Sequence, residues 1–399
     1  MSGLNQRQEE LWNKDYVSVT ALSSAANFIM NEPMGFTHTY RTYLRPRETG
    51  RLQIRIWHSN SVDSTWDMGQ DAAGSEAGGS WRIESAFLGD GGRERDGSVV
   101  AGSLVPLTFG GSHSREVEPG ERFYSDEVTV DIAEGHDLVF SWTLSAPGPG
   151  KSIPYNVEGM LASAYDAEGH LADQVSFPPE RVSEQLLVMP SFIGYKRENA
   201  RKIVILGDSI TQGVRTEKDA YAYWAARIAD SLGPEYGVWN LGSGWGRAYD
   251  AASDGPWLHK AKQGDEVLIV LGVNDIDVGK RSAEELLHDL GTIVAALREN
   301  RPGVTILLST VPPFNFMEER EQIWRTANKE ILNHPPAGVD YIYDIARVLS
   351  QPEPQEHRIK PEYMSSPDDP HPNGPAGEAV AKDFLNWYAA VGGYKAVKE

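Results

Sequence analysis

No cysteine occurs among the 399 residues, which excludes disulfides, thiol nucleophiles and cysteine-bound metals. No run of eighteen apolar residues occurs either, so no membrane-spanning helix is expected. The N-terminus lacks an apolar core behind its first charge. Glu9, Glu10, Lys14 and Asp15 fall where a secretory segment would need one, and no signal peptide is expected. These absences together predict a cytoplasmic protein. Positive charge is scarce: 37 Lys and Arg stand against 57 Asp and Glu, for a net charge of −20. Such a chain repels phosphates, so neither nucleic acid nor an anionic membrane is expected as a partner. Neutral substrates such as sugars remain compatible. Aromatic residues are plentiful, with 11 Trp and 16 Tyr, most of them assigned to core packing and a few to sugar-stacking surface.

The first half reads as β structure. Arg51–Ile56, Val128–Ile132 and Leu138–Leu144 alternate apolar and polar residues with the period of half-buried strands. Gly110-Gly111, Pro119-Gly120, Glu134-Gly135 and Pro147-Gly148-Pro149-Gly150 punctuate them as turns. With no long helical period between, two antiparallel sheets packed face to face are predicted, a jelly-roll-like β-sandwich. The Gly/Ser/Asp/Glu-rich stretch from about Asp63 to Gly102 reads as a long loop or hairpin insertion, with Trp66, Trp81 and Phe87 pinning it or facing a ligand. After Phe177-Pro178-Pro179, strands and helices alternate. The strands are Lys202–Leu206, Val238–Asn240, Val267–Leu271, Thr305–Thr310 and Val339–Tyr343. Leu286, Leu287, Leu290, Ile293, Val294 and Leu297 mark one helix face, and Ala222, Ala225, Ala229 and Leu232 another. A five-stranded parallel sheet covered by helices on both faces follows. The boundary falls between about Ser183 and Ala200 and is drawn at 190/191, which gives a β domain over 1–190 and an α/β domain over 191–399.

Four short blocks of the second half converge on one edge of that inferred sheet, where open α/β folds bind ligands. Gly207-Asp208-Ser209 presents a serine at a strand's carboxyl end. Asn240 to Arg247 is glycine-rich and able to point backbone N–H groups at a ligand. Gly272-Val273-Asn274-Asp275 follows the most apolar strand, and Asp368-Asp369-Pro370-His371 precedes the last helix. A serine hydroxyl is a weak nucleophile until an imidazole takes its proton, and His371 would serve. An acid must hold that ring, and Asp368 can do so across one turn stiffened by Pro370. The oxyanion of an acyl-transfer intermediate needs preorganised donors: the Ser209 N–H, the N–H of Gly246 or Gly244, and the Asn274 side chain. Trp245, Arg247 and Tyr249 line the pocket or merely shape their loop. Asp208 and Asp275 are expected to hold loops by accepting backbone N–H bonds. His58, His259 and His334 are expected as surface or packing residues, and Trp224 as core.

From these blocks the chain resembles the GDSL, or SGNH, hydrolase superfamily over roughly Lys202 to Val391. The family's G-D-S is matched by Gly207-Asp208-Ser209, its G-x-N-D by Gly272–Asp275 and its D-x-x-H by Asp368–His371. The resemblance implies a flavodoxin-like fold, Ser209 as nucleophile, Asn274 as oxyanion donor, His371 as base and Asp368 as its orienter. It departs at the second block, where Trp245 stands at the family's glycine position between Gly244 and Gly246; Gly246 is favoured because Arg247 follows it. Ile54–Asn60, Pro106–Gly111 and Tyr124–Asp126 resemble the β-sandwich that precedes some bacterial carbohydrate esterases of this kind. The expectation is therefore a serine esterase acting on short acyl, foremost acetyl, esters of carbohydrates, without cofactor or metal. The alternatives are a lipase, lysophospholipase or thioesterase of the same superfamily, and a catalytically silent glycan-binding protein. The partner is a small-molecule or oligosaccharide ester, and a homo-oligomer stays open.

Overall fold

The computed structural model describes residues 12–64, 76–156, 161–178 and 186–393. The expected absence of a leader at residues 1–11, Trp66, and the start of the domain boundary at Ser183 lie outside them.

The N-terminal half is built of antiparallel sheets. In the first, Tyr16–Ser18, Phe192–Lys196 and Gly50–Ser59 lie side by side, and Gly50–Ser59 pairs on its other edge with Arg122–Tyr124 and Val128–Ile132. In the second, Ala164–Glu168, Phe36–Leu44, Leu138–Ala146 and Trp81–Asp90 follow in order, and Val105–Pro106 and Arg115–Val117 pair with the last. Alternation decides the buried faces. Leu52, Ile54 and Ile56 are buried, while the alternate residues Arg51 and Gln53 are exposed and Arg55 is half-buried. His58 of the first sheet packs 5.4 Å from Trp81 and 5.8 Å from Trp142 of the second. Burial, aided by the charge of Lys260, pulls its imidazole down to about 3, so it is a neutral core residue.

Two expectations are corrected here. The stretch that reads as a long loop or hairpin insertion contains the ten-residue strand Trp81–Asp90, which is part of the second sheet rather than an insertion. Its pairing shifts register so that Thr143 faces Ser85 and Leu144 faces Ile83, leaving Glu84 as an extra residue. Trp81 and Ile83 are buried before the bulge, and Ala86 and Leu88 after it, so period two is broken in mid-strand. Trp81 is core rather than ligand-facing. The strand Phe192–Lys196 pairs within the first N-terminal sheet, so that half runs to Lys196, past the boundary drawn at 190/191.

The C-terminal half holds five parallel strands: β1 (Arg201–Gly207), β2 (Tyr236–Gly242), β3 (Glu266–Val270), β4 (Thr305–Ser309) and β5 (Tyr341–Tyr343). Their order is β2-β1-β3-β4-β5, that of the flavodoxin-like fold. The helix Ala283–Asn300 begins with a Ser282–Glu285 capping box and buries Leu286, Leu290, Ile293, Val294 and Leu297 against the sheet. The order in which successive strands are added reverses between β1 and β3. The carboxyl ends of those two strands open the crevice in which such folds bind ligands. Among the described residues no helix is long and apolar enough to cross a membrane.

The two halves share one continuous hydrophobic core. Polar contacts reinforce it next to the β1 and β2 ends. Ser23 donates to the Gly242 carbonyl at 2.5 Å, Asn240 donates to the Ala21 carbonyl at 3.2 Å, and Gln212 donates to Asn156 at 3.0 Å. Lys260, on the helix Pro256–Ala261, reaches Asp63 of the N-terminal half at 2.6 Å, and both side chains have no solvent exposure. Burial pulls the ammonium down and pushes the carboxyl up, while their mutual attraction opposes both shifts.

Candidate active site

Ser209 opens the short helix Ser209–Gln212 directly after β1. Asp208 caps that helix, its Oδ1 accepting the Ile210 N–H at 2.9 Å. Gly213 ends it in the left-handed region, at φ 103°. Gly242, the last residue of β2, lies against this helix. A Cβ there would stand 2.2 Å from the Gln212 nitrogen and 2.7 Å from the Thr211 carbonyl carbon. Only a glycine lets the serine-bearing turn sit this low on the sheet.

His371 lies on the strand Asp369–Pro372, which pairs with Met364–Ser366 in a small hairpin. Its Nε2 is 3.0 Å from the Ser209 Oγ. Its Nδ1 is 2.6 Å from Oδ1 of Asp369, which also accepts the His371 backbone N–H at 3.0 Å. Asp369, not Asp368, is therefore the ring's partner. The segment is extended rather than turned, so residues two apart share a face. Asp369 and His371 point the same way, while Asp368 is exposed and outside the strand. Burial pushes the Asp369 carboxyl up, but the bonds from the ring and N–H of His371, and from Arg215, outweigh it, and the group sits below the usual carboxylate range.

Asn274 follows β3 in the helix Val273–Asp277. It is buried and donates one Nδ2 hydrogen to the Gly246 carbonyl at 3.1 Å, leaving the amide's other hydrogen for a second acceptor. Gly272 makes the turn before it at φ 128°, where a Cβ would also press on Val311 at 2.7 Å. The two glycines of the second block separate. The Gly246 N–H closes a turn onto the Ser243 carbonyl at 2.9 Å, so it is taken, whereas Gly244 lines the cavity beside Ser209. In that turn Trp245 has φ 64°, a glycine-like backbone at the position where the resembled family has glycine. Trp245 is 39 % exposed and lines the cavity. The Ser209 N–H, first in its helix, has no intrahelical acceptor.

Arg247 does not line the site. It is buried, and its Nη2 meets Asp250 at 2.9 Å. Tyr249 is exposed with the Arg281 guanidinium 4.7 Å over its ring, and it too lies off the cavity wall. The cavity of about 250 Å³ is lined by Ser209, Asn274 and His371 together with Val214, Arg215, Trp245, Asp277 and Phe314. The Phe314 ring stands edge-on to the His371 imidazole at 5.1 Å. Behind the site, Asp275 accepts the N–H groups of Ala248 and Tyr249 at 2.9 and 3.2 Å, which ties the second block to the third. Burial raises Asp275 to about 6, helped by the charges of Asp250 and Asp289, and burial raises Asp208 to about 7, helped by the charge of Asp275. Both hold backbone, and neither touches the cavity.

Hydroxyl, imidazole and carboxylate thus stand in series at the crevice of a flavodoxin-like sheet. Residues 205–380 match the GDSL-like lipase/acylhydrolase family. The C-terminal half is a GDSL-like domain.

No curated protein sequence matches the chain. Similar solved structures include a carbohydrate esterase family 3 protein from Talaromyces cellulolyticus, 17% identical, covering 48% of this chain and 97% of that one with a TM-score of 0.36. A GDSL-like lipase from Bacteroides thetaiotaomicron is 16% identical over 48% of this chain and 89% of its own, with a TM-score of 0.34. A family two carbohydrate esterase from Cellvibrio japonicus is 12% identical and covers 94% of this chain and 96% of its own, with a TM-score of 0.37. Within the GDSL domain, sequence reasoning missed Asp369, Arg215 and Phe314. Asp369 was legible in principle, since D-x-H in an extended segment puts both side chains on one face. Phe314 and Arg215 come from loops with no pattern of their own. Among the described residues no group of three or more His, Asp or Glu is arranged to hold a metal ion.

Proposed function

We propose that this protein is a serine esterase that removes short acyl groups, acetyl foremost, from carbohydrates. The observation that carries the reading is the Ser209 Oγ held 3.0 Å from the His371 Nε2 at the wall of a cavity with mixed lining. His371 takes the hydroxyl proton as Ser209 attacks the ester carbonyl, and Asp369 holds the ring and stabilises the imidazolium. The Ser209 N–H, the Gly244 N–H and the second Asn274 hydrogen receive the oxyanion. The leaving alcohol takes the proton from His371. An acyl-enzyme remains, and water activated by the same ring releases the acid. For the sugar, Trp245 offers an indole face and Asp277 a polar group among the apolar Val214 and Phe314. A hydroxyl-bearing ring suits such a wall better than a long alkyl chain.

On the same reading the N-terminal sheets form a jelly-roll-like sandwich with an accessory role. The protein acts in the cytoplasm on a small-molecule or oligosaccharide ester, without nucleic-acid or membrane partner, in keeping with its net charge of −20. The test compares 4-nitrophenyl acetate with the decanoate, then acetylated xylo-oligosaccharides, for the wild type and Ser209→Ala. Acetate preference, sugar deacetylation and loss of turnover in Ser209→Ala are expected. Preference for decanoate turns the assignment to a lipase or thioesterase. No turnover of any ester, with saturable glycan binding, turns it to a binding protein.

A further inference from the structure

We propose that Arg215 is a positioning residue for the Asp369–His371 couple, a role that rests on the esterase reading above. The acid of this site is poorly enclosed. Asp369 sits on the edge hairpin, and its side chain is 26 % exposed. A carboxylate held through one oxygen rotates broadly about its terminal torsion and admits water to the other. Here the other oxygen is occupied, because the Arg215 Nε donates to Asp369 Oδ2 at 3.0 Å while Oδ1 holds the ring at 2.6 Å. The two bonds fix the carboxylate plane.

They also span two blocks. Arg215 leaves the turn that follows the nucleophile's helix, where the Gly213 and Val214 N–H groups both return to the Ser209 carbonyl, at 3.0 and 3.1 Å. Asp369 belongs to the hairpin that carries His371. The pair therefore staples the base-bearing hairpin to the serine-bearing turn and sets the gap between Oγ and Nε2. The backbone supports a placed side chain: Arg215 has φ 70°, a conformation that residues other than glycine rarely adopt.

Arg215→Gly is the informative variant, because glycine takes this backbone without strain and the fold is retained. With 4-nitrophenyl acetate its kcat is expected to fall about ten-fold, the scale of one charge-assisted bond at a half-open site, while KM stays within about two-fold. Added guanidinium ion should restore part of the lost kcat in Arg215→Gly and none in Ser209→Ala. In proton NMR, the low-field resonance of the His371 Nδ1 proton should move upfield and broaden in the variant, a readout that needs no turnover. An unchanged resonance with wild-type kcat overturns the proposal, as does a raised KM with kcat intact, which would make Arg215 a substrate contact. If the wild type hydrolyses no ester, the functional reading fails, and the resonance still decides this inference.

Discussion

Asp369→Asn and Asp368→Asn form a matched pair of neutral, isosteric changes one residue apart. Asp369 accepts three donors: the His371 ring and backbone N–H on one oxygen and the Arg215 Nε on the other. An asparagine there has one acceptor end only. With its oxygen toward Arg215, its amide hydrogens meet Nδ1 and force the tautomer that cannot act as base at Nε2. With its oxygen toward the ring, the hydrogens meet the guanidinium. Either way the charge that stabilises the imidazolium is gone. A buried triad carboxylate is worth about 10⁴-fold in kcat. Asp369 is partly exposed and shares its charge with Arg215, so a fall of about 10²- to 10³-fold is expected, or about 2.7–4 kcal/mol in the barrier. Asp368→Asn should stay within about two-fold, since Asp368 is exposed and one residue off the strand. Steady-state kcat on 4-nitrophenyl acetate, with matched thermal melts, reads both. A crippled Asp368→Asn beside an active Asp369→Asn would refute the strand register on which this assignment rests.

Asn274→Ala should lower kcat about 10²- to 10³-fold with little change in KM, because it removes a donor needed mainly by the oxyanion; a KM effect alone would make it a ground-state contact. Gly242→Ala should cost about 1–3 kcal/mol in denaturant unfolding and lower kcat as well, since its methyl meets backbone of the serine-bearing turn at 2.2 Å; unchanged melts would contradict that packing. Asp208 has its folded value raised to about 7, above an unfolded value of about 4, so the native state binds the extra proton. Its contribution is complete below about pH 4 and is lost as pH rises toward 7, at most about 4 kcal/mol in all. Asp208→Asn keeps the helix cap and lacks this titration, so its melting temperature relative to wild type should climb from pH 5 to pH 8; a constant difference would show that Asp208 is not protonated in the fold.

What the sequence yields and what it hides follow from the range of the forces involved. The parallel strands were legible because each is a short apolar run bounded by glycine or polar residues, and Ser209, Asn274 and His371 because each sits just past a strand or before a helix. The strand Trp81–Asp90 was not, because Glu84 bulges out and breaks the alternation. Phe192–Lys196 falls just past the boundary drawn at 190/191, because its partner, Gly50–Ser59, lies more than a hundred residues away and leaves no local signal. The choice of Asp369 over Asp368 turned on extended rather than turned backbone, which a Pro-rich tetrapeptide leaves open. Arg247 followed a promising glycine, yet Asp250, three residues on, claimed it.

The buried Lys260–Asp63 pair bears on how this molecule comes apart. Truncating one partner strands a charge in a dry interior, a loss of about 3–5 kcal/mol. A fragment beginning at residue 197 would lose the Asp63 partner and bare the apolar surface of the shared core, so it should be recovered as an insoluble or molten product rather than as a working miniature enzyme. Calorimetry of the whole chain should then give a single endotherm. For protein engineering, the segment from residue 205 to 380 should be moved only together with the N-terminal sheets packed against it.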